Sequence, residues 1–266
     1  MAYTCRQMGS STPVLSDRSR ALPHLPRHVP LLTVAKGIEN ETLQTMTELL
    51  EDCLPEEFHP YIAVLSGPSF AKELALRSPT VVTIASHWEK GAVRCQKMLQ
   101  TETFRSYTSN DVVGVQYGGA LKNVIAIAAG IADGLGMGHN ARAAIITRGL
   151  AEITRLAVRK GGNPLTLSGL SGMGDLVLTC TGELSRNRRV GMELGRGRQL
   201  QDVLSEMKQV AEGVKTAKSA RDLSLKTGVE LPICQQVYAI AYEGKSAKAA
   251  VVELMTRQPK SELSGG

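Results

Sequence analysis

Residues 112–132 read VVGVQYGGALKNVIAIAAGIA, an apolar run whose single charge is Lys122. Its second half, built from Ala, Val and Ile without proline, predicts a helix buried on several sides. Gly118 and Gly119 permit a neighbour to approach closely just before the lysine. A membrane-spanning helix is the rival reading, but a lysine near its middle costs about 2.5–3.5 kcal/mol on insertion scales. Asp133-Gly134 also follows at once. The run is therefore read as a core helix carrying one amine, with no membrane as partner. The plainer reading is that Lys122 only snorkels from the helix edge. Asn123 beside it favours chemistry, because a side-chain amide can orient an ammonium or a substrate oxygen. A desolvated lysine has a lowered pKa and exchanges a proton near neutrality, which suits interconversion of an alcohol and a carbonyl.

The rest of the chain supplies a setting for that helix. With 266 residues and 42% hydrophobic content, it can bury a sizeable core. The net charge of +6 admits an anionic metabolite or nucleic acid, yet aromatics are only 4%, leaving few stacking platforms. Lys and Arg are scattered, and no helix-turn-helix, zinc or RNP-type pattern occurs, so nucleic acid is not expected as a partner. Five widely spaced cysteines without a CxxC pair point to a reduced compartment and no metal site. Residues 1–28, rich in Ser, Thr, Arg and Pro, read as a disordered tail. Their composition faintly suggests a plastid or other organelle transit peptide, but without an amphipathic helix, so a cytoplasmic location is preferred.

Residues 29–35 predict a buried strand, residues 39–54 a helix with Leu43, Met46, Leu49 and Leu50 on one face, and residues 61–65 a second strand. Further strands are expected at 80–85 and 104–108, and helices from about Lys72 and over 90–99. Lys36 falls at the carboxyl end of its strand, where open α/β sheets bind ligands. The loop Ser66-Gly67-Pro68-Ser69-Phe70-Ala71 offers backbone donors and hydroxyls at a helix start, although such turns are ordinarily caps. Beyond Asn140 the periodicity is helical throughout, with starts expected at Ala141, Arg186, Leu200, Glu212 and Pro232.

Two more groupings bear chemistry. A glycine-rich turn over residues 169–174 delivers Asp175 into an apolar run; opposite Lys122, this carboxylate could hold and orient the ammonium, coupling their titrations. Ser185-Arg186-Asn187-Arg188-Arg189 crowds arginines at a helix start, which opposes the macrodipole unless an anion sits there. Ser185 can cap, free backbone N–H groups can face a phosphate, and one guanidinium can clasp it. A solvated basic turn is the plainer alternative.

The stretch GALKNVIAIAAGIADGLGMGHN, residues 119–140, closely resembles the signature of NAD(P)-dependent glycerol-3-phosphate dehydrogenases of bacterial type. The resemblance extends from about His28 to about Leu254. It implies an oxidoreductase that interconverts sn-glycerol 3-phosphate and dihydroxyacetone phosphate with NAD or NADP, feeds phospholipid synthesis, and forms a homodimer. It makes Lys122 the catalytic residue. Lys36, Gly67, Ser69, Asn123, Asp175, Thr179, Ser185, Arg186 and Asn187 would bind substrate. Lys36, Ala71, Arg186, Val210 and Glu212 would meet the cofactor.

The departures from that pattern matter as well. No G-x-G-x-x-G turn, which would cradle the pyrophosphate, occurs in these 266 residues. The expected fold class is thus α/β, a partial Rossmann-like NAD-binding domain over residues 29–110, followed by an all-α substrate and catalytic domain over residues 111–266. Cofactor is expected to bind weakly, and a truncated, noncatalytic remnant that still folds or dimerises is the alternative function.

Overall fold

In the computed structural model, which describes residue 25 and residues 28–207, 211–259 and 261–262, the β-branched runs of the first half form a four-stranded sheet. Its strands are β1 (Leu31–Thr33), β2 (Ile62–Ser66), β3 (Thr80–Ala85) and β4 (Phe104–Ser109), in spatial order β1-β2-β3-β4. β1 lies parallel to β2 with Leu31 opposite Ile62, and β3 parallel to β4 with Thr80 opposite Phe104. β2 and β3 run antiparallel, Val64 facing Ala85, so the sheet is mixed. The tail expected over residues 1–28 lies almost wholly outside the described residues.

Alternation assigns the two faces of the sheet. Ala63, Leu65, Val82 and Ile84 pack with Ala92 and Cys95 of helix α3 (Glu89–Leu99). Val64 and Ala85 point the other way, against Val112 and Val115. Those two residues open α4 (Val112–Gly134), the helix expected from the apolar run, whose first turns cover the sheet while the remainder enters the helical half. Asp111 caps it by accepting from the Gly114 N–H. Every residue from Val112 to Ala132 except Val113 is buried. By length and hydropathy α4 alone among the described residues could cross a membrane, yet 94% of its most apolar window is buried inside the fold.

The helix expected over residues 39–54 is shorter than its periodicity suggested: α1 spans Met46–Cys53. Glu39 bends the chain before it, its carboxylate accepting from the N–H groups of Glu41 and Thr42, and Leu43 adopts a φ of 61°. Local side-chain-to-backbone bonds thus outcompete the helix there. The Thr45–Glu48 capping box then starts α1. A short α2 (Ala71–Ala75) follows β2.

After α4 the described residues are helical. α5 (Gly138–Arg159), α6 (Pro164–Leu167), α7 (Asp175–Thr181), α8 (Arg186–Gly195), α10 (Glu212–Thr227) and α11 (Pro232–Tyr242) pack on α4, while α9 (Leu200–Ser205) packs on α8 and α12 (Ala247–Met255) on α11. A π-helical turn, Leu170–Gly174, leads into α7. α5 begins three residues before the expected Ala141, whereas α8, α9, α10 and α11 begin where the sequence placed them. The principal core joins Leu121, Ile125 and Ile127 of α4 to Leu156, Leu176, Val190, Ala217, Leu223 and Val237 from five surrounding helices.

Glycines bring two of these helices into backbone contact. A Cβ on Gly191 would stand 2.0 Å from the Ile127 carbonyl, and one on Gly195 2.3 Å from that of Ile131. In the reverse sense, Cβ atoms on Gly130 and Gly134 would stand 2.0 and 2.2 Å from the carbonyls of Arg188 and Met192. A step of four residues on α4 matches a step of four on α8 in the same direction. The helices therefore lie side by side and parallel, with the start of α8 beside Asn123.

Candidate active site

Lys122 projects from α4 toward the first turn of α7, whose leading residue is Asp175. One Asp175 oxygen accepts from the Lys122 ammonium, and the other accepts from Lys36 at 2.6 Å. Lys122 also donates to the Thr179 hydroxyl at 3.0 Å, and that hydroxyl in turn donates to the Asp175 backbone carbonyl at 2.6 Å. Lys36 reaches the cluster from the carboxyl end of β1 and donates further to the Gly67 carbonyl at 3.3 Å. Its side chain is 17% exposed, against 8% for Lys122 and 1% for Asp175, so Lys36 is the member most open to a ligand.

Two close approaches make this arrangement possible. A Cβ on Gly118 would stand 2.6 Å from the Ser171 carbonyl, and one on Gly119 would stand 2.5 Å from the Ser66 hydroxyl. The first lets the π-helical turn that carries Asp175 lie against α4, and the second lets the end of β2 do so. Ser219 of α10 fixes the Lys36 loop, donating to the Ile38 carbonyl at 3.0 Å.

Burial dominates the electrostatics. Loss of water around Lys122, followed by repulsion from Lys36, lowers its pKa to about 8 even though Asp175 opposes both effects. An amine there is mostly protonated at neutral pH yet gives up its proton readily.

The start of α8 lies one helical step away. Ser185 caps it by accepting from the Arg188 N–H at 3.2 Å. The Asn187 amide donates to Asn123 at 2.9 Å and accepts from the Gly213 N–H at 3.0 Å, joining α4, α8 and the first turn of α10. Glu212, half-buried, is the first residue of α10, and Arg186, also half-buried, is the first of α8.

Comparisons with known proteins identify the family. Residues 111–252 match the family sequence model described as NAD-dependent glycerol-3-phosphate dehydrogenase C-terminus, and residues 13–92 match its N-terminal counterpart. The chain belongs to this family. It is 84% identical over 247 residues to "Glycerol-3-phosphate dehydrogenase [NAD(P)+]" of Myxococcus xanthus, covering 93% of this chain and 74% of that protein. A protein of the same name from Anaeromyxobacter dehalogenans is 57% identical, with 94% and 75% covered. The crystal structure of glycerol-3-phosphate dehydrogenase from Coxiella burnetii superposes with a TM-score of 0.83 at 38% identity, covering 91% of this chain and 74% of that one. The fold is accordingly that of a family oxidoreductase, a Rossmann-like sheet domain followed by a helical domain. The N-terminal match starts at residue 13, upstream of His28, where the resemblance was first legible.

Of the residues expected at the site of a glycerol-3-phosphate dehydrogenase, the fold gathers Lys36, Gly67, Lys122, Asp175 and Thr179 around one carboxylate. Asn123, Ser185, Arg186 and Asn187 stand together at the start of α8. Ser69 donates to the Gly67 carbonyl at 3.0 Å, which places it on the Lys36 side. Ala71 is exposed at the head of α2, four residues along the chain from Gly67. Val210 lies outside the described residues. Sequence reading did not single out Ser66, whose buried hydroxyl has no partner among the described residues and lines a small cleft with Lys36, Gly37, Gln116 and Gly119. It also passed over Asp133, which looked like the end of a helix and holds two arginines. Ser66 opens the loop that was read as offering hydroxyls to a ligand, whereas no local pattern marks Asp133.

Proposed function

We propose that reduction of dihydroxyacetone phosphate, and its reverse, takes place at the Lys122–Asp175–Lys36 cluster. The observation that carries this reading is the single buried carboxylate held between two ammoniums beside the start of α8. Lys122 gives its proton to the substrate carbonyl oxygen as that oxygen becomes an alkoxide, and takes it back in the oxidative direction. Asp175 and Thr179 hold the amine in place, and Lys36 adds a second donor that stabilises negative charge on the reacting oxygen. Asn123 orients the substrate from the helix carrying Lys122, and Gly67 and Ser69 bound it on the Lys36 side.

The phosphate is assigned to the head of α8. Ser185, Arg186 and Asn187 present backbone N–H groups, the helix dipole and one guanidinium to it. When bound, NAD(P)H would supply the hydride for reduction and NAD(P)+ would accept it in the reverse direction. Among the described residues, Lys36 beside the Ser66 cleft, Arg186 and Glu212 at the heads of α8 and α10, and Ala71 at the head of α2 would meet the nicotinamide end; Val210 falls outside them. Residues 29–110 are assigned to cofactor and 111–266 to substrate and catalysis. A cytoplasmic homodimer acting on a small phosphorylated substrate, away from membranes, completes the proposal; the burial of α4 supports its last element.

Arg186→Ala tests the phosphate assignment. Leaving a charge without its partner costs about 2–5 kcal/mol, so kcat/KM should fall far more for dihydroxyacetone phosphate than for dihydroxyacetone. Equal losses on the two substrates would remove Arg186 from the phosphate site.

A further inference from the structure

Asp133, near the end of α4, has no part in the reaction described above, yet its carboxylate is only 6% exposed and engages two guanidiniums. One oxygen accepts from Nε and Nη2 of Arg142 at 2.9 and 2.8 Å. The other accepts from Nε and Nη2 of Arg188 at 2.8 and 2.7 Å. Contact through two nitrogens fixes the plane of a guanidinium as well as its distance. Arg142 belongs to α5. Arg188 belongs to the first turn of α8, directly after Arg186 and Asn187.

Beyond that pair, α4 and α8 meet as backbone against glycine at Gly130, Gly134, Gly191 and Gly195, through Val190 and Leu194 in the core, and through the Asn187–Asn123 hydrogen bond at 2.9 Å. The glycine contacts permit close approach but carry no directional side-chain bond of their own. The Arg188–Asp133 pair supplies a directional tie on that seam. It lies about 16 Å along α4 from Lys122, counting about 1.5 Å per residue, and so acts on the reacting end through the rigid helix.

We propose that Asp133 is a positioning residue for the phosphate clasp: by holding Arg188 it sets the register of α8 on α4, and with it the place of Arg186 and Asn187 relative to Lys122. This rests on the assignment of Arg186 to the phosphate. Arg142, on another helix, neutralises and anchors the carboxylate without setting that register.

The test is calorimetric titration of the full chain with sn-glycerol 3-phosphate, alongside an NMR titration of the Lys122 amine. The variants are Asp133→Asn, Arg188→Gln, Arg142→Gln and Arg186→Ala. Because a shift of about 1 Å at a site can cost about 10²-fold, Asp133→Asn and Arg188→Gln should each weaken binding by about 10-fold to 10²-fold. Lys122 should still titrate near its parent value of about 8, and Arg142→Gln should bind within about two-fold of the parent. Should Asp133→Asn fail to fold, Arg188→Gln decides, since it leaves Asp133 paired with Arg142. Parent-like binding by Asp133→Asn and Arg188→Gln, with binding lost in Arg186→Ala, would overturn this proposal alone. Equal losses from Arg142→Gln and Arg188→Gln would also overturn it, as would a return of Lys122 toward 10.5, the sign of a site that has come apart. Unimpaired binding by Arg186→Ala would remove the phosphate assignment and this inference with it.

Discussion

Asp175→Asn keeps the shape of the side chain and removes the charge that faces both Lys122 and Lys36. Two ammoniums would then share a buried site without that carboxylate. Removing one partner of a buried charge pair costs about 2–5 kcal/mol, and one pKa unit is about 1.4 kcal/mol, so Lys122 should lose about 1.5–3.5 units of proton affinity. From its parent value of about 8 it would fall to between about 4.5 and 6.5. In the reducing direction Lys122 must be protonated, so kcat/KM for dihydroxyacetone phosphate declines as pH rises through its pKa. The alkaline limb, near pH 8 in the parent, should move below about 6.5 in the variant, with a loss of about tenfold or more at pH 7.5 from protonation alone. The assay is a pH profile of kcat/KM at saturating NAD(P)H from about pH 5.5 to 9.5. A limb that stays within about half a unit of the parent's would refute the claim that Asp175 sustains the charged form of Lys122.

Two further expectations concern stability. Glu152 of α5 is buried and accepts from the N–H groups of Ile233 and Cys234 at 2.7 and 3.2 Å; burial raises its pKa to about 7, against those donors. Its folded value thus exceeds the unfolded one near 4.5, so the folded state binds the extra proton and stability should fall as pH rises through that window. Glu152→Gln should flatten the dependence of Tm on pH between 4.5 and 7, and a variant curve as steep as the parent's would discard the assignment. Gly191→Ala should lower unfolding free energy by about 3 kcal/mol in urea titration, because its methyl would meet the backbone of Ile127 rather than a yielding side chain. A loss under about 1 kcal/mol would mean that the α4–α8 seam can open without penalty.

What the sequence made legible follows from how far each feature depends on neighbours. α4 was readable because its run is apolar on all sides and free of proline. The starts of α8 and α11 carry local signals, Ser185 as cap and Pro232 in the first turn. Residues 39–45 were misread because Leu43 continues a helical spacing while the Glu39 carboxylate, four residues earlier, bends the backbone by accepting from the N–H groups of Glu41 and Thr42. Direction of strand pairing leaves no trace in alternation, so the antiparallel β2–β3 contact emerged only from the fold. At the site, Lys36 and Asp175 are 139 residues apart, and nothing local in either stretch names the other as partner. The family resemblance put both at the substrate site, and only the fold paired them. Asp133 had no such help: its meaning depends on two arginines brought to it by α5 and α8.

The central claim is that Lys122 moves the proton, and Lys122→Met addresses it most directly. Methionine keeps an unbranched stem of similar length and removes the amine, while Asp175 retains Lys36 as its partner. The measurement is the initial rate of NAD(P)H oxidation with dihydroxyacetone phosphate, followed by absorbance for parent and variant, with circular dichroism on both to check the fold. Loss of a general acid predicts a fall in kcat of at least about 10²-fold with the fold retained. A folded variant turning over within a few-fold of the parent would contradict the account and return Lys122 to the role of a lysine that merely reaches the edge of a buried helix.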